Sequence, residues 1–474
     1  MIARKFMLVL AVAATLAGVG ALVYLGVRPG PERLSPDTDL AELFADYGCP
    51  DCNVLLISID TLRADHLPCQ GYPKDTAPNI CAFGEQGLLF RNAVSGAPST
   101  VPALIAMLSG SIAANEDPRE LIAHYEQQPS LAERLAERGY QTAGFTDHHA
   151  LRAQTGAMSK TDFLLRGFET FVNVGKGRQH RHSADLTKPI IDWLEQNREQ
   201  KFFVWAHYFD PHWNYMPPDD LERRFGYVAD RCGGITNGID IKEVREIEKA
   251  LTNDELDCLI ALHQAEIFHT DRFIGQLLDK IAELDLDDDT LVVITADHGE
   301  EFLERDRVGH EWTVYEELMH VPLIVRNPKR PVAGALDANI STASIFEIVL
   351  GAVSDRPIEL PTDVVGRAFH YYGKNAKSIS EFRRRPNEFA IYIDRMKLIL
   401  TPKTSRYELY DLDADPKERQ NLGVKRAKAS PLYGRLRRWI EASTVSPGSP
   451  SEAGLNSRRE LRQRLQNLGY SRED

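Results

Sequence analysis

Continuous apolar runs, each bounded by polar or turn-forming residues, are the strongest pattern in this chain. Residues 53–59, 202–206 and 290–295 are short runs rich in β-branched, leucine and aromatic side chains, which is typical of strands buried on both faces of a parallel sheet. Residues 255–284 instead follow the period of a long amphipathic helix. Because buried strands alternate with helices, the pattern predicts an α/β fold with a doubly wound, mostly parallel sheet.

The end of the chain has a different pattern. Short strand-like segments between residues 389 and 412 predict a small antiparallel sheet. Beyond this sheet the chain is basic and helical only in parts, and we expect its end to be loosely attached. The predicted organisation is an N-terminal anchor and tether (1–40), a catalytic domain (41–374), a C-terminal small-sheet subdomain (375–424) and a tail (425–474).

A membrane segment is predicted at the N-terminus. Arg4 and Lys5 precede an uncharged apolar run over residues 6–27, which is long enough to cross a bilayer as a helix. No clear small-x-small cleavage site follows the run, so the pattern favours a signal anchor, with a cleaved signal peptide as the alternative. The basic residues before the run place the N-terminus in the cytoplasm and the rest of the chain outside it, in the periplasm or at the cell surface.

Composition and charge narrow the function. The chain is 43% hydrophobic and 26% charged, as is usual for a globular protein. Its net charge of −13, with no basic cluster on the body of the chain, argues against nucleic-acid binding. Six cysteines are compatible with an oxidising compartment and permit many pairings. The pairing that we favour is Cys49–Cys52, Cys69–Cys81 and Cys232–Cys258.

The candidate site residues lie at the ends of two predicted strands and at the start of a predicted helix. Asp60 follows one strand, and Asp297 and His298 follow another. Thr100 precedes Pro102 at a predicted helix start, where free N–H groups would favour attack on an anionic phosphoryl or sulfuryl centre. The alternative is that Thr100 only caps this helix. Carboxylates, a hydroxyl and one imidazole suit a single divalent cation, and do not select among Mn²⁺, Mg²⁺, Ca²⁺ and Zn²⁺.

Several of these segments, in their order along the chain, resemble the sulfatase family of the alkaline phosphatase superfamily. The segment from Ser99 to Gly110 resembles the family's nucleophile segment and places Thr100 at the position of the nucleophile. The other segments that carry the resemblance are residues 53–60, 139–149, 210–212, 296–300, 309–324 and 408–422. The resemblance implies an alkaline phosphatase-like fold and a metal-dependent ester hydrolase.

The resemblance also implies roles for individual residues. The implied metal ligands are Asp60, Thr100, Asp297 and His298. The implied catalytic residues are the nucleophile Thr100 together with His310, His212 and His149, which would bind the anionic substrate or protonate a leaving oxygen. His148 is the alternative to His149 in the alignment register. His207 lies at a strand end, and we expect it to be a core histidine rather than a site residue.

Four positions depart from the family's usual pattern. Thr100 stands where sulfatases have the Cys or Ser that becomes formylglycine, and Thr61 stands where they have a second metal-binding Asp. Leu104 replaces an Arg and Asp147 replaces a Lys. These features look more like the related phosphotransferases, such as lipoteichoic acid synthases and lipid A phosphoethanolamine transferases, which are also membrane-anchored, outward-facing and dependent on a Thr.

We therefore expect a divalent-metal-dependent hydrolase or transferase that acts on phosphate or sulfate esters through Thr100. The Thr-bound intermediate would pass to water or to a second alcohol. The expected partners are an anionic ester substrate on an envelope lipid or glycan, and a membrane bound through the N-terminal helix. Two alternatives remain: a true sulfatase, and a catalytically silent homologue that still binds metal.

Overall fold

The computed structural model describes most of the chain between residues 31 and 444. The described residues are 31–114, 124–125, 127–148, 151, 163–175, 183–354, 356–361, 363–368 and 387–444. The predicted membrane segment at 6–27 and the candidate residue His149 lie outside these ranges. Within them, no helix combines the length and the apolar character that a membrane span requires.

The described residues form fifteen strands. They are β1 (Glu32–Arg33), β2 (Asn53–Ile59), β3 (Leu88–Val94), β4 (Gln141–Thr146), β5 (Thr170–Asn173), β6 (Phe202–Tyr208), β7 (Thr290–Ala296), β8 (Glu301–Phe302), β9 (Val308–Gly309), β10 (His320–Arg326), β11 (Val332–Ser341), β12 (Val364–Ala368), β13 (Glu388–Ile393), β14 (Met396–Thr401) and β15 (Arg406–Asp411).

A nine-stranded sheet forms the centre of the molecule, in the order β1-β11-β3-β10-β7-β2-β6-β4-β5. Only β10 runs antiparallel to its neighbours, β3 and β7; the other adjacent pairs of this sheet are parallel. Every residue of β2 is buried, so both faces of the sheet are covered at its centre. The predicted doubly wound, mostly parallel sheet is therefore confirmed.

Twelve α-helices are described, and two groups of them flank the sheet. They are α1 (Leu40–Ala45), α2 (Pro78–Gly84), α3 (Thr100–Ser109), α4 (Leu131–Ala136), α5 (Ser183–Asn197), α6 (Asp219–Glu222), α7 (Ile241–Ile247), α8 (Asn253–Glu283), α9 (Glu316–Met319), α10 (Ser344–Val353), α11 (Val424–Ala429) and α12 (Pro431–Ser443). The long helix α8 packs against α2 and α5, whereas α3, α4 and α10 pack on one another. Asp271 on α8 accepts backbone hydrogen bonds from Asn79 and Ile80 and so caps α2.

A four-stranded antiparallel sheet, β12-β13-β14-β15, confirms the predicted small C-terminal sheet. Its first strand, β12, precedes residue 375, where we expected the subdomain to begin. Helix α12, from the predicted tail, packs on this sheet through Leu436 and Trp439. The fully buried ammonium of Lys397 in β14 lies 2.9 Å from Glu316 Oε1 and 2.8 Å from Glu418 Oε1. Lys397 thus joins the small sheet to α9, which follows the candidate residue His310.

Three disulfides join all six cysteines in the pairs that we favoured from the sequence: Cys49–Cys52, Cys69–Cys81 and Cys232–Cys258. The last pair fastens the segment before α7 to the first turns of α8 and lies in a separate apolar cluster with Tyr215 and Phe302. These bonds are the kind of cross-link that proteins outside the cytoplasm retain.

We expect the Cys232–Cys258 disulfide to stabilise the fold much more than Cys49–Cys52. A disulfide restricts the unfolded chain in proportion to the logarithm of the loop that it closes, and the two sequence separations are 26 and 3. Replacing Cys232 and Cys258 together by serine should lower the free energy of unfolding by about 3 kcal/mol. Urea denaturation of both double variants measures this, and an equal loss in the two would contradict the prediction.

Candidate active site

The candidate site lies where the central parallel strands end. Asp60 is the first residue after β2, Asp297 and His298 follow β7, and His207 is the last residue but one of β6. Because β2 is the parallel neighbour of both β6 and β7, the carboxyl ends of the three strands meet at one edge of the sheet. This is where ligands bind in open α/β sheets.

Asp60, Asp297 and His298 form a compact triad whose ligand atoms lie within 4.8 Å of one another. All three are fully buried. Asp297 Oδ1 accepts hydrogen bonds from the backbone of Thr61 and His298, at 3.2 and 2.7 Å. Asp297 Oδ2 and both oxygens of Asp60 have no hydrogen-bond partner. Buried carboxylate oxygens without partners are costly, so this donor set fits a divalent cation.

Electrostatics support the same conclusion. Burial raises the pKa of Asp60 well above its usual range, and the charge of Asp297 is the second largest cause of this rise. Burial also raises the pKa of Asp297. Among the described residues, neither carboxylate has a lysine or arginine within ion-pairing distance. A bound cation would therefore offset a repulsion that the protein itself leaves uncompensated.

Thr100 opens α3 and faces the triad. Its Oγ1 lies 3.3 Å from His298 Nε2. His298 Nδ1 lies 2.8 Å from the Gly299 carbonyl, which can only accept, so Nδ1 carries the proton and Nε2 accepts from the Thr100 hydroxyl. Ser99, rather than Thr100, occupies the N-cap position, so the alternative that Thr100 only caps the helix does not describe its contacts.

His310 is held by a buried carboxylate. Its Nδ1 donates to Glu300 Oε1 at 2.8 Å, and the Tyr215 hydroxyl donates to Glu300 Oε2 at 3.1 Å. The His310 ring centre lies 4.4 Å from that of His298 and 5.0 Å from that of His212. Burial lowers the pKa of His310 well below its usual value and raises the pKa of Glu300 to about 7.

His212 and His148 extend the same cluster of rings. His212 Nδ1 donates to the Trp213 carbonyl at 2.6 Å. The other ring nitrogen, Nε2, is therefore the one that can contact a substrate. The His148 ring centre lies 6.2 Å from that of His212, and His148 Nε2 is 3.8 Å from Asp60 Oδ2. His149 lies outside the described residues, so of these two alternatives the structure describes only His148, which lies at the site.

His207 lies at the site as well as in the core. It is fully buried on β6, but its Nε2 is 3.7 Å from Asp60 Oδ2. Ser58, its register partner on β2, places Oγ 2.9 Å from His207 Nδ1 and accepts a hydrogen bond from Trp205 Nε1 at 3.0 Å. Burial lowers the pKa of His207 to about 3. Our expectation of a plain core histidine therefore missed its contact with a candidate metal ligand.

Comparison with known proteins decides the family. The chain matches the family described as Sulfatase over residues 52–354, which is more than half of its length. This chain belongs to the sulfatase family. As in that family, whose enzymes depend on metal, the described site has a carboxylate-rich triad suited to a cation.

Individual sulfatase-family relatives are distant. Mouse (Mus musculus) arylsulfatase K is 23% identical over 430 residues, covering 79% of this chain and 76% of its own. The crystal structure of a phosphonate monoester hydrolase of Agrobacterium radiobacter superposes with a TM-score of 0.61 at 19% identity, covering 88% and 97% of the two chains. A further structure, in complex with its substrate D-glucosamine-2-N,6-O-disulfate, has a TM-score of 0.59 at 17% identity and covers 88% and 98%. The relatives are ester hydrolases by name, and the chain is an enzyme of this family.

The structure locates two of the residues that depart from the sulfatase pattern, Thr61 and Asp147. Thr61 has a left-handed backbone (φ 52°) and contributes its N–H to Asp297, not a side-chain ligand. Asp147 is fully buried, with Oδ1 accepting from the Phe209 backbone at 2.7 Å and Oδ2 unpartnered. Burial, followed by the nearby charge of Asp210, raises the pKa of Asp147 well above its usual range. The family's lysine is thus replaced by a further buried acid.

Sequence reasoning did not single out Arg245, on α7 of this sulfatase-family chain. Its guanidinium lies 4.5 Å from the ring centre of Trp312, and its Nε donates to the Val308 carbonyl at 3.3 Å. Arg63, also near the site, is neutralised by Asp65 and Glu304. In the part of the chain that the structure describes, Arg245 has no such carboxylate partner. No motif marks α7, so only the fold brings this cation to the site.

Proposed function

We propose that this protein is a metal-dependent phosphoester hydrolase or phosphotransferase that uses Thr100 as its nucleophile. The observation that carries the proposal is the position of Thr100 Oγ1, 3.3 Å from His298 Nε2 and beside the unpartnered carboxylate oxygens of Asp60 and Asp297. A hydroxyl in this place needs no oxidation to act as a nucleophile, unlike the formylglycine precursors of sulfatases.

Each residue has a defined part in the reaction. Asp60, Asp297 and His298, together with the Thr100 hydroxyl, would hold the cation, which supplies Lewis acidity and neutralises charge on the transferring group. The Thr100 oxygen attacks phosphorus in line while the bond to the leaving oxygen breaks, and its proton passes to the unprotonated Nε2 of His310 or His212. The ring that takes this proton, either His310, oriented by Glu300 and Tyr215, or His212, would return it to the leaving oxygen. Transfer of the group from Thr100 to water or a second alcohol completes the cycle.

Because the site is rich in carboxylates, an anionic substrate needs a positively charged side chain in addition to the bound cation. Arg63 is paired with Asp65 and Glu304, whereas among the described residues Arg245 has no carboxylate ion-pair partner. Its Nε bonds to Val308, two residues before His310. Guanidinium groups bind phosphate and carboxylate oxygens in pairs. Arg245 is therefore the residue that would receive a non-reacting anionic oxygen of the substrate on the His310 side.

A true sulfuric ester hydrolase is the second candidate function, because arylsulfatase K and a protein with a disulfated glucosamine substrate are among the similar proteins. The replacements at Thr100, Leu104 and Asp147 favour the phosphoester over the sulfate ester. The substrate class that we propose is a phosphate ester of an envelope lipid or glycan. The three disulfides support the proposed extracytoplasmic location, with the segment at 6–27 as the membrane anchor.

The decisive experiment compares ester classes with one enzyme preparation. Full-length protein, purified in detergent and loaded in turn with Mn²⁺, Zn²⁺, Ca²⁺ or Mg²⁺, is assayed on an aryl sulfate, a phosphate monoester, a phosphodiester and a phosphonate monoester. We expect turnover of a phosphorus ester to exceed that of the aryl sulfate. Dominant sulfate turnover would establish the sulfatase instead. Tight metal binding without turnover of any ester would establish the silent homologue.

A further inference from the structure

The two oxygens of Asp60 face different neighbours. Oδ1 lies 3.8 Å from His298 Nε2, within the triad suited to a cation. Oδ2 lies 3.7 Å from His207 Nε2 and 3.8 Å from His148 Nε2. His207 Nε2 and Asp60 Oδ2 are both buried, and neither has a hydrogen-bond partner. Asp60 Oδ1 is therefore placed to bind the cation, whereas Oδ2 faces His207, which has no part in the proposed reaction.

The hydrogen bonds around Ser58 favour one tautomer of His207. Trp205 Nε1 can only donate, so Ser58 Oγ accepts from it at 3.0 Å. The Ser58 hydroxyl proton then needs an acceptor, and the acceptor at hand is His207 Nδ1 at 2.9 Å. Accepting at Nδ1 places the proton of the neutral imidazole on Nε2. His207 thus presents an N–H group, rather than a lone pair, to Asp60.

We propose that His207 is a positioning residue for Asp60: Ser58 and Trp205 set its tautomer, and its Nε2–H group faces Asp60 Oδ2 at 3.7 Å, which favours the carboxylate orientation that directs Oδ1 to the cation. A partner of this kind orients a ligating carboxylate, and its loss typically weakens metal binding by about 10–100-fold. The role extends beyond the proposed ester chemistry, because it concerns metal affinity and holds for either ester class.

A second cation between Asp60, His148 and His207 is the competing explanation of the same distances. It would need a lone pair on His207 Nε2, and therefore an Nδ1–H group donating to Ser58, whose hydroxyl proton would then lose its acceptor. Within the described ranges, moreover, the compact ligand group is the triad of Asp60, Asp297 and His298 alone. The structure thus favours one cation and a donor at His207.

Calorimetric titration of the full-length, metal-stripped protein with Mn²⁺ tests the proposal. We expect one Mn²⁺ per chain, and an affinity about 10–100-fold lower in His207→Ala. His207→Gln, which keeps an N–H donor of similar reach, should recover most of the loss. Ser58→Ala should weaken binding too, because it frees the tautomer, and it decides the matter if His207→Ala does not fold.

Tyr208→Phe is the matched control. It alters a fully buried neighbour of His207 on β6 and removes a hydrogen bond to Thr187, but it leaves Trp205, Ser58 and His207 in place, so thermal stability should fall while Mn²⁺ affinity stays close to wild type. The proposal is overturned if His207→Ala binds Mn²⁺ as well as wild type, or if Tyr208→Phe loses as much affinity as His207→Ala. Two Mn²⁺ per wild-type chain, falling to one in His207→Ala, would also overturn it, in favour of a second cation site.

Discussion

Thr100→Ala is expected to lower turnover by at least about 10³-fold on whichever ester the protein cleaves. The substitution removes the oxygen that would bond to phosphorus, and neither His298 nor the carboxylates of the triad can replace it in line. Thr100 is not the cap of α3, so the helix and the fold should persist. Steady-state kinetics with metal-loaded protein measures the effect, and circular dichroism checks the fold.

Ser99→Ala and Thr100→Ser are the controls. Ser99 precedes Thr100 and makes no side-chain capping bond, so its alanine variant should keep most of the activity. Thr100→Ser keeps a hydroxyl at the same place and should retain measurable turnover. Intact mass spectrometry after a rapid quench should detect a substrate-derived group on wild type and not on Thr100→Ala. Unchanged turnover in Thr100→Ala would rule out this nucleophile.

Asp60→Asn should separate metal binding from stability. We expect metal affinity to fall by at least about 100-fold, because the triad loses an anionic ligand. The metal-free protein should at the same time become more stable, by about 1–3 kcal/mol. The amide removes one of two mutually repelling buried charges, and its N–H₂ group can donate to the unpartnered Asp297 Oδ2. Thermal denaturation with and without Mn²⁺ or EDTA measures both effects.

Asp271→Asn is a control with the opposite sign. Asp271 is as buried as Asp60 but accepts three hydrogen bonds from Asn79 and Ile80 at the start of α2. Its amide variant should therefore destabilise the metal-free protein and leave metal affinity unchanged. If Asp60→Asn also destabilised the metal-free protein and left the metal-induced gain in melting temperature intact, Asp60 would be a structural residue and not a ligand.

Local sequence patterns predict the parts of this molecule that depend on local order. The continuous apolar run at 53–59 and the helical periodicity of 255–284 were sufficient to predict β2 and α8, which the structure has at Asn53–Ile59 and Asn253–Glu283. The triad was also accessible from sequence, because Asp60 and Asp297 each follow a buried strand, and parallel strands bring such residues to one edge.

The contacts that sequence reasoning missed depend on register and on long loops. His207 meets Ser58 across 149 residues, and a strand pairing shifted by one position would turn its ring to the other face of the sheet. Arg245 reaches the site from a short helix in the connection between β6 and α8, where no motif or periodicity distinguishes it from other charged residues. The strand β12 is separated from β13 by a long connection and has no alternation of polar and apolar residues to mark it.

The buried Lys397 limits how far this protein can be truncated from its C-terminal end. The match to the Sulfatase family spans residues 52–354, and every candidate site residue lies within it. Glu316, however, begins the helix after His310 and finds its cationic partner in β14, far beyond the matched region. A shortened gene ending at residue 354 would encode every candidate site residue, but it would remove the cationic partner of Glu316 and expose Val314, Tyr315 and Met319, which pack on the small sheet. The folded unit therefore extends beyond residues 52–354, and a truncated or fused protein should keep the described chain intact up to residue 444.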